Sequence, residues 1–218
     1  MVIKTIIEKP VAFLLQKMDL LSLYSLKRTG PLKEDGWLRS FREDACVDEE
    51  GNPVPWLTYP AVEFLKKRIN REMSVFEYGC GASTLWWALR VKNVFSVEHD
   101  KTWYDKTVIN IPRNVNLMHM EIDQNNYYSK IVKEYDGKFD IVVIDGRDRV
   151  NCAMNSVGSL KSNGIIIWDD SDRSEYQEGY RFLYDNGFRK IEFIGLAPIY
   201  NIKRETGIFY RLNNCLGI

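Results

Sequence analysis

Strand-like and helical stretches alternate over residues 60–186, two β-rich stretches follow with no helix between them, and residues 1–59 read as helices and loops. Together these predict an α/β fold with a mostly parallel, seven-stranded sheet and helices on both faces. A C-terminal antiparallel hairpin closes the sheet, and a helical extension precedes it. At 218 residues the chain is long enough for one such domain, residues 60–218, plus the extension over residues 1–59.

The extension opens with an apolar stretch, Val11 to Leu15, bounded by Glu8, Lys9, Lys17 and Asp19. It is far shorter than the roughly 20 apolar residues that span a bilayer. Phe13, Leu14, Met18, Leu21 and Leu26 recur near helical spacing, so an amphipathic helix is expected, packed on the domain or on a second copy of the chain, or lying on a membrane surface. Gly30-Pro31 and Gly51-Asn52-Pro53-Val54-Pro55 mark turns.

Pro60 suits the first turn of a helix reaching Ile69, with Val62 and Leu65 on its inner side. Strands are then expected at Val75 to Tyr78, Val94 to Glu98, Val115 to Met118, Phe139 to Ile144 and Gly164 to Trp168. Helices fill the gaps: Ser83 to Val91, Trp103 to Asn110, Tyr127 to Tyr135, Val150 to Leu160 and Tyr176 to Asn186. Runs such as Ile141-Val142-Val143-Ile144 and Ile165-Ile166-Ile167 are apolar throughout, the pattern of parallel strands buried on both faces. Phe188 to Ile194 and Thr206 to Leu212 are joined only by a loop, which makes them an antiparallel pair. Trp86 and Trp87 are expected to be packing residues of the first core helix.

Composition excludes little but is still informative. Thirty basic residues balance thirty acidic ones, so no overall field attracts nucleic acid, and none is expected as a partner. Cys46, Cys80, Cys152 and Cys215 are scattered without metal-ligand or disulfide spacing. With no secretory signal or spanning segment legible, a reducing cytoplasm is the expected location.

The chemistry begins at Glu77-Tyr78-Gly79-Cys80-Gly81-Ala82-Ser83-Thr84, where a strand turns through glycines into a helix, and at Glu98, which ends the next strand. Glycines allow a sharp exit and close approach of a ligand to the backbone, and an acid at the neighbouring strand tip can accept hydrogen bonds from ribose hydroxyls. The pattern points to an adenosine-containing cofactor. Thr84 stands where a dinucleotide fingerprint has its third glycine, and a parallel sheet finishing in an antiparallel hairpin is not what a nicotinamide-binding domain usually offers.

These residues resemble the class I S-adenosylmethionine-dependent methyltransferases, whose Rossmann-like sheet ends in such a hairpin. The resemblance covers roughly residues 60–212, and it departs from the family where Ser83 replaces a third motif glycine. It implies that Glu77, Gly79 and Gly81 line the methionine moiety, with Ser83 and Thr84 at the helix start. It further implies Glu98 on the ribose, His99 beside the adenine, and Glu121 or Asp123 near the adenine amino group. Asp145 would face donor and acceptor, and Asp145 or Asp148 could take the acceptor's proton.

A second group of charges ends the fourth and fifth strands, in Asp145-Gly146-Arg147-Asp148-Arg149 and Asp169-Asp170-Ser171-Asp172-Arg173. So many carboxylates need positive charge among them, supplied by Arg147, Arg149 and Arg173 or by Mg or Ca. Asp145, Asp169 and Asp170 are similar to the ligand set of metal-dependent catechol-type O-methyltransferases, except that Asp170 replaces an Asn. Trp37, Arg39, Trp56 and Tyr59 are the candidates in the extension for holding the acceptor, by stacking on a ring or pairing with an anion. No Asp/Asn-Pro-Pro-aromatic tetrapeptide follows the fourth strand, which favours an oxygen acceptor on a small molecule or glycan over an exocyclic amine. An NAD-dependent oxidoreductase and a non-catalytic S-adenosylmethionine-binding protein are the alternatives.

Overall fold

The computed structural model describes residues 9–18 and 20–218. Its seven strands are β1 (Ser74–Tyr78), β2 (Asn93–Glu98), β3 (Val115–His119), β4 (Phe139–Ile144), β5 (Leu160–Asp169), β6 (Arg189–Gly195) and β7 (Arg204–Tyr210). They form one sheet in the order β3-β2-β1-β4-β5-β7-β6. All pairings among β1 to β5 are parallel, while β7 runs antiparallel to both β5 and β6. Chain order reverses between β1 and β4, and ligands of open α/β sheets bind beside such a reversal, at the C-terminal strand tips. Glu77 and Glu98 stand near or at those tips on adjoining strands, and Asp145 follows directly on the next.

The sheet core is as apolar as its sequence runs imply. Phe76, Val94, Val97, all of Ile141 to Ile144, and Ile165 to Trp168 are essentially inaccessible. One layer packs Trp86, Trp87, Val62 and Leu65 on one face, and the other packs Tyr128, Cys152, Tyr180 and Leu183 on the opposite face. Both tryptophans are thus core residues, with indole N–H groups that find no partner.

The helices in order are α1 (Lys9–Lys17), α2 (Leu20–Arg28), α3 (Pro31–Glu34), α4 (Trp37–Glu43), α5 (Tyr59–Lys66), α6 (Ala82–Ala88), α7 (Lys101–Val108), α8 (Tyr127–Lys130), α9 (Arg149–Ser156) and α10 (Gln177–Asp185). Several expected helices end early, two of them in 3-10 turns. The one after β3 tightens into a 3-10 turn at Ile131–Glu134, and α9 gives way to another at Val157–Ser159. Strand β5 starts at Leu160 rather than Gly164, because Leu160 pairs with Phe139 ahead of a register shift.

The extension holds two short helices where one amphipathic helix was expected, and Glu8 and Asp19 lie outside the described residues. Phe13, Leu14 and Met18 are about three-fifths exposed, so those side chains are not packed on the domain. No helix among the described residues is long and apolar enough to cross a membrane. The rest of the extension is tied to the hairpin. Thr58 donates its N–H to Thr206 Oγ1 (3.1 Å) and its hydroxyl to Phe193 O (3.0 Å), and Tyr59 N–H reaches Leu196 O (2.8 Å).

Candidate active site

The turn after β1 is built from below. Glu77 is fully buried, and its Oε2 accepts hydrogen bonds from Thr84 Oγ1 (2.5 Å) and Ser96 Oγ (3.1 Å). Thr84 Oγ1 in turn accepts from Gly81 N–H (3.1 Å), so one threonine ties the start of α6 to the strand beneath it. A glycine at position 84 could do neither, which is a physical reason for this departure from a dinucleotide fingerprint. Glu77 Oε1 has no partner at all. Burial pushes the Glu77 carboxyl up to about 7 against the opposing pull of the hydroxyls. Glu77 and Thr84 therefore brace the loop from the core side, and their side chains do not reach the cavity that the resemblance assigned them.

Gly79 has φ +94, and a Cβ there would stand 3.1 Å from Asp145 O, so the turn needs glycine twice over. Above it, Glu98 closes the loop: its Oε2 accepts Cys80 N–H (2.9 Å) and its Oε1 accepts Asp100 N–H (2.8 Å). His99 Nδ1 lies 2.8 Å from Glu98 Oε1, but its geometry makes no aligned hydrogen bond. The indole N–H of Trp103 donates to Cys80 O from the first turn of α7, itself capped by Asp100 through Trp103 N–H (2.9 Å).

These groups wall a cavity of about 450 Å³. Gly79, Cys80, Ser83, Glu98, His99, Asp100 and Trp103 form one side, and Asp145, Gly146, Arg147, Arg149, Asp169, Asp170 and Arg173 the other. Trp56 from the extension and Tyr200 from the β6–β7 loop complete it, with ring centroids 5.2 Å apart. Its size lies within the range of about 300–1,000 Å³ usual for ligand clefts.

Several expected members stand elsewhere. Asp123 caps the turn into α8, accepting from Asn125 N–H (3.1 Å) and Tyr127 N–H (3.2 Å), and neither it nor Glu121 borders the cavity. Asp148 starts α9 and holds Asn151 Nδ2 (2.8 Å) beside a second hollow. Among the described residues of the extension, only Trp56 lines the cavity. Trp37 stacks on Phe41 and donates to Tyr200 O (2.7 Å), while Arg39 pairs with Glu43 (2.9 Å) and packs under Gly51. Tyr59 is buried with its hydroxyl unpartnered. Cys46 packs against the hydrophobic layer of Trp86 and Trp87 instead, and burial pushes its thiol up to about 12.

The charge question at the tips of β4 and β5 has a specific answer. Arg149 is buried among the carboxylates, reaching Asp145 Oδ1 (3.2 Å), Asp170 Oδ2 (3.4 Å), and the carbonyls of Gly146 (3.0 Å) and Asp169. Asp170 also takes Arg173 on Oδ2 (2.5 Å) and Arg204 on Oδ1, and Asp169 Oδ1 accepts Thr206 Oγ1 (2.9 Å). With Asp170 holding guanidinium groups on both oxygens, this donor set does not fit a divalent cation. Among the described residues no group of three or more His, Cys, Asp or Glu side chains is placed to hold one. Burial raises both Asp145 and Asp169, Arg149 opposing it in each case.

No family model matches the chain. It is 30% identical over 122 residues to the ribosomal protein L11 methyltransferase of Thermosipho melanesiensis, covering 54% of this chain and 45% of that one. The chain thus spans less than half the length of that relative. The solved rRNA methylase of Streptococcus thermophilus matches with a TM-score of 0.55 at 15% identity, over 72% of this chain and 99% of that one. The chain has the class I S-adenosylmethionine-dependent methyltransferase fold. Spermidine synthase from Thermotoga maritima shares it at a TM-score of 0.52 and 13% identity, over 74% of this chain and 59% of that one. Within this methyltransferase fold the cavity occupies the sheet's reversal point; Cys80, Asp100, Trp103, Gly146 and Tyr200 line it without having been expected from the sequence, and Arg204 backs it through Asp170.

Proposed function

We propose that the chain binds S-adenosylmethionine and transfers its methyl group to an oxygen of a small molecule or glycan. One observation carries the reading: Glu98 holds the backbone of the glycine turn by its carboxylate while facing a cofactor-sized cavity that Asp145 faces from the next strand but one. Gly79, Cys80 and Ser83 would hold the donor's methionine part, Glu98 its ribose, and His99 and Trp103 its base. The donor supplies an already activated methyl group, so the protein's task is to align the acceptor and remove its proton. Asp145, raised toward neutrality by burial, is matched to that proton transfer near pH 7. An oxygen acceptor is favoured by Asp145-Gly146-Arg147-Asp148, which lacks the Pro-Pro-aromatic sequence of amine methylation.

Calorimetric titration with S-adenosylhomocysteine tests the cofactor assignment, and roughly micromolar binding is expected. Tight binding of NADH with none of S-adenosylhomocysteine would make the chain an oxidoreductase candidate instead. Binding without transfer from radiolabelled donor to sugars, catechols or ribosomal protein would favour the non-catalytic alternative.

A further inference from the structure

A second hollow of about 440 Å³ adjoins the first and shares Gly146, Arg147, Arg149 and Arg173 with it. Its remaining wall is Asp148, Val150, Glu175 and Tyr176. Three guanidinium groups thus face two carboxylates, but their commitments differ. Arg149 spends its donors on Asp145, Asp170 and two carbonyls. Arg173 is bound through Nη2 to Asp170, leaving Nη1 4.0 Å from Glu175. Arg147 is exposed, and its guanidinium makes no hydrogen bond or ion pair with any described residue. On the acidic side, Asp148 is engaged by Asn151, and Glu175 is about three-fifths exposed to solvent.

The hollow therefore holds a surplus of hydrogen-bond donors in the planar, forked geometry that suits carboxylate or phosphate. It lies one glycine away from Asp145, since Gly146 has no side chain to separate the two spaces. Gly146 is kept small by Tyr128, whose hydroxyl would stand 2.1 Å from a Cβ there.

We infer that this hollow binds an anionic oxyacid group of the methyl acceptor, with Arg147 and Arg173 as its contacts. The acceptor assignment rests on the methyl-transfer reading above; the anion site does not. The acceptor is then a carboxylated or phosphorylated compound rather than a neutral sugar or catechol, with its reacting oxygen directed toward Asp145.

The full chain and its Arg147→Ala variant are titrated with inorganic phosphate and, separately, with malonate, against chloride at matched ionic strength. Saturable binding of either anion is expected, weakened about ten-fold in the variant, as loss of a charge-assisted contact implies. The tighter anion identifies the group as phosphate or carboxylate. Binding no better than chloride, or equal binding by the variant, overturns the anion site. A parallel S-adenosylhomocysteine titration separates the two readings. Its failure overturns methyl transfer and the acceptor role, whereas its success without anion binding overturns only the hollow's assignment.

Discussion

Replacing Glu77 by Gln tests whether the carboxylate beneath the glycine turn is an electrostatic cost carried by the fold. Glu77 is wholly buried and has one unpartnered oxygen, and burial pushes its carboxyl from the ordinary 4.5 up to about 7. Between those values the folded chain keeps a proton that the unfolded chain has released, so stability must fall as pH rises. Integrated from pH 4.5 to 8, that proton difference amounts to about 3 kcal/mol, at about 1.4 kcal/mol per unit of pH. Glutamine keeps the size of the side chain and an oxygen for Thr84 and Ser96, but does not titrate. Urea unfolding from pH 4.5 to 8 should therefore show the difference between variant and wild type moving in the variant's favour by about 3 kcal/mol. Asp145 and Asp169 titrate in both proteins and largely cancel, apart from the relief of Asp145 from the Glu77 charge. Stability curves that stay parallel within about 0.5 kcal/mol over this range would refute the reasoning.

Gly146→Ala places a methyl group against the buried Tyr128 hydroxyl and should cost about 2 kcal/mol by denaturant unfolding. Tyr128→Phe removes a hydroxyl that has no hydrogen-bond partner, so alone it should be near neutral, and combined with Gly146→Ala it should recover much of the loss. Arg149→Met leaves the Asp145, Asp169 and Asp170 carboxylates without their central cation. It should destabilise the chain by about 3–5 kcal/mol at pH 8 and less at pH 5, where raised carboxyls are protonated, as thermal melts at the two pH values can show.

The sheet was legible in the sequence because apolar runs of four or more residues leave few alternatives to buried parallel strands. All seven strands fall where the residues indicated, with termini shifted by a residue or two apart from the start of β5. That start depends on Leu160 pairing with Phe139 across the sheet, which no local pattern records. At the cavity, Gly79 was legible because its backbone conformation is written into residue type, and Glu98 because an acid ends the neighbouring strand; Gly81 does not line it. Trp103 was not assigned, although Asp100 as an N-cap three residues earlier is the signal that fixes it over the turn. Tyr200 and Arg204 required topology: once β7 is antiparallel to β5, the loop before β7 must return to the tip of β5, beside Asp170. Trp37, Arg39 and Tyr59 looked equivalent to Trp56 because aromatic and basic side chains serve internal packing and ligand contact equally well.

The extension and the charge cluster are not independent parts, because one hydroxyl joins them. Thr206 Oγ1 accepts the Thr58 N–H, which anchors the end of the extension, and donates to Asp169 Oδ1 inside the cluster. Two residues before that anchor, Trp56 leans on Tyr200, which lies 5.1 Å from the Arg204 guanidinium that pairs with Asp170. A displacement of the extension must therefore disturb both aspartates that end β5, and repacking those aspartates must disturb the wall made by Trp56. The Trp56 and Tyr200 wall of the cavity and the charge balance at the tip of β5 are set by the same few contacts. An apolar substitution at Thr206 would leave Asp169 without its hydroxyl donor and Thr58 without its acceptor, two buried vacancies from one change.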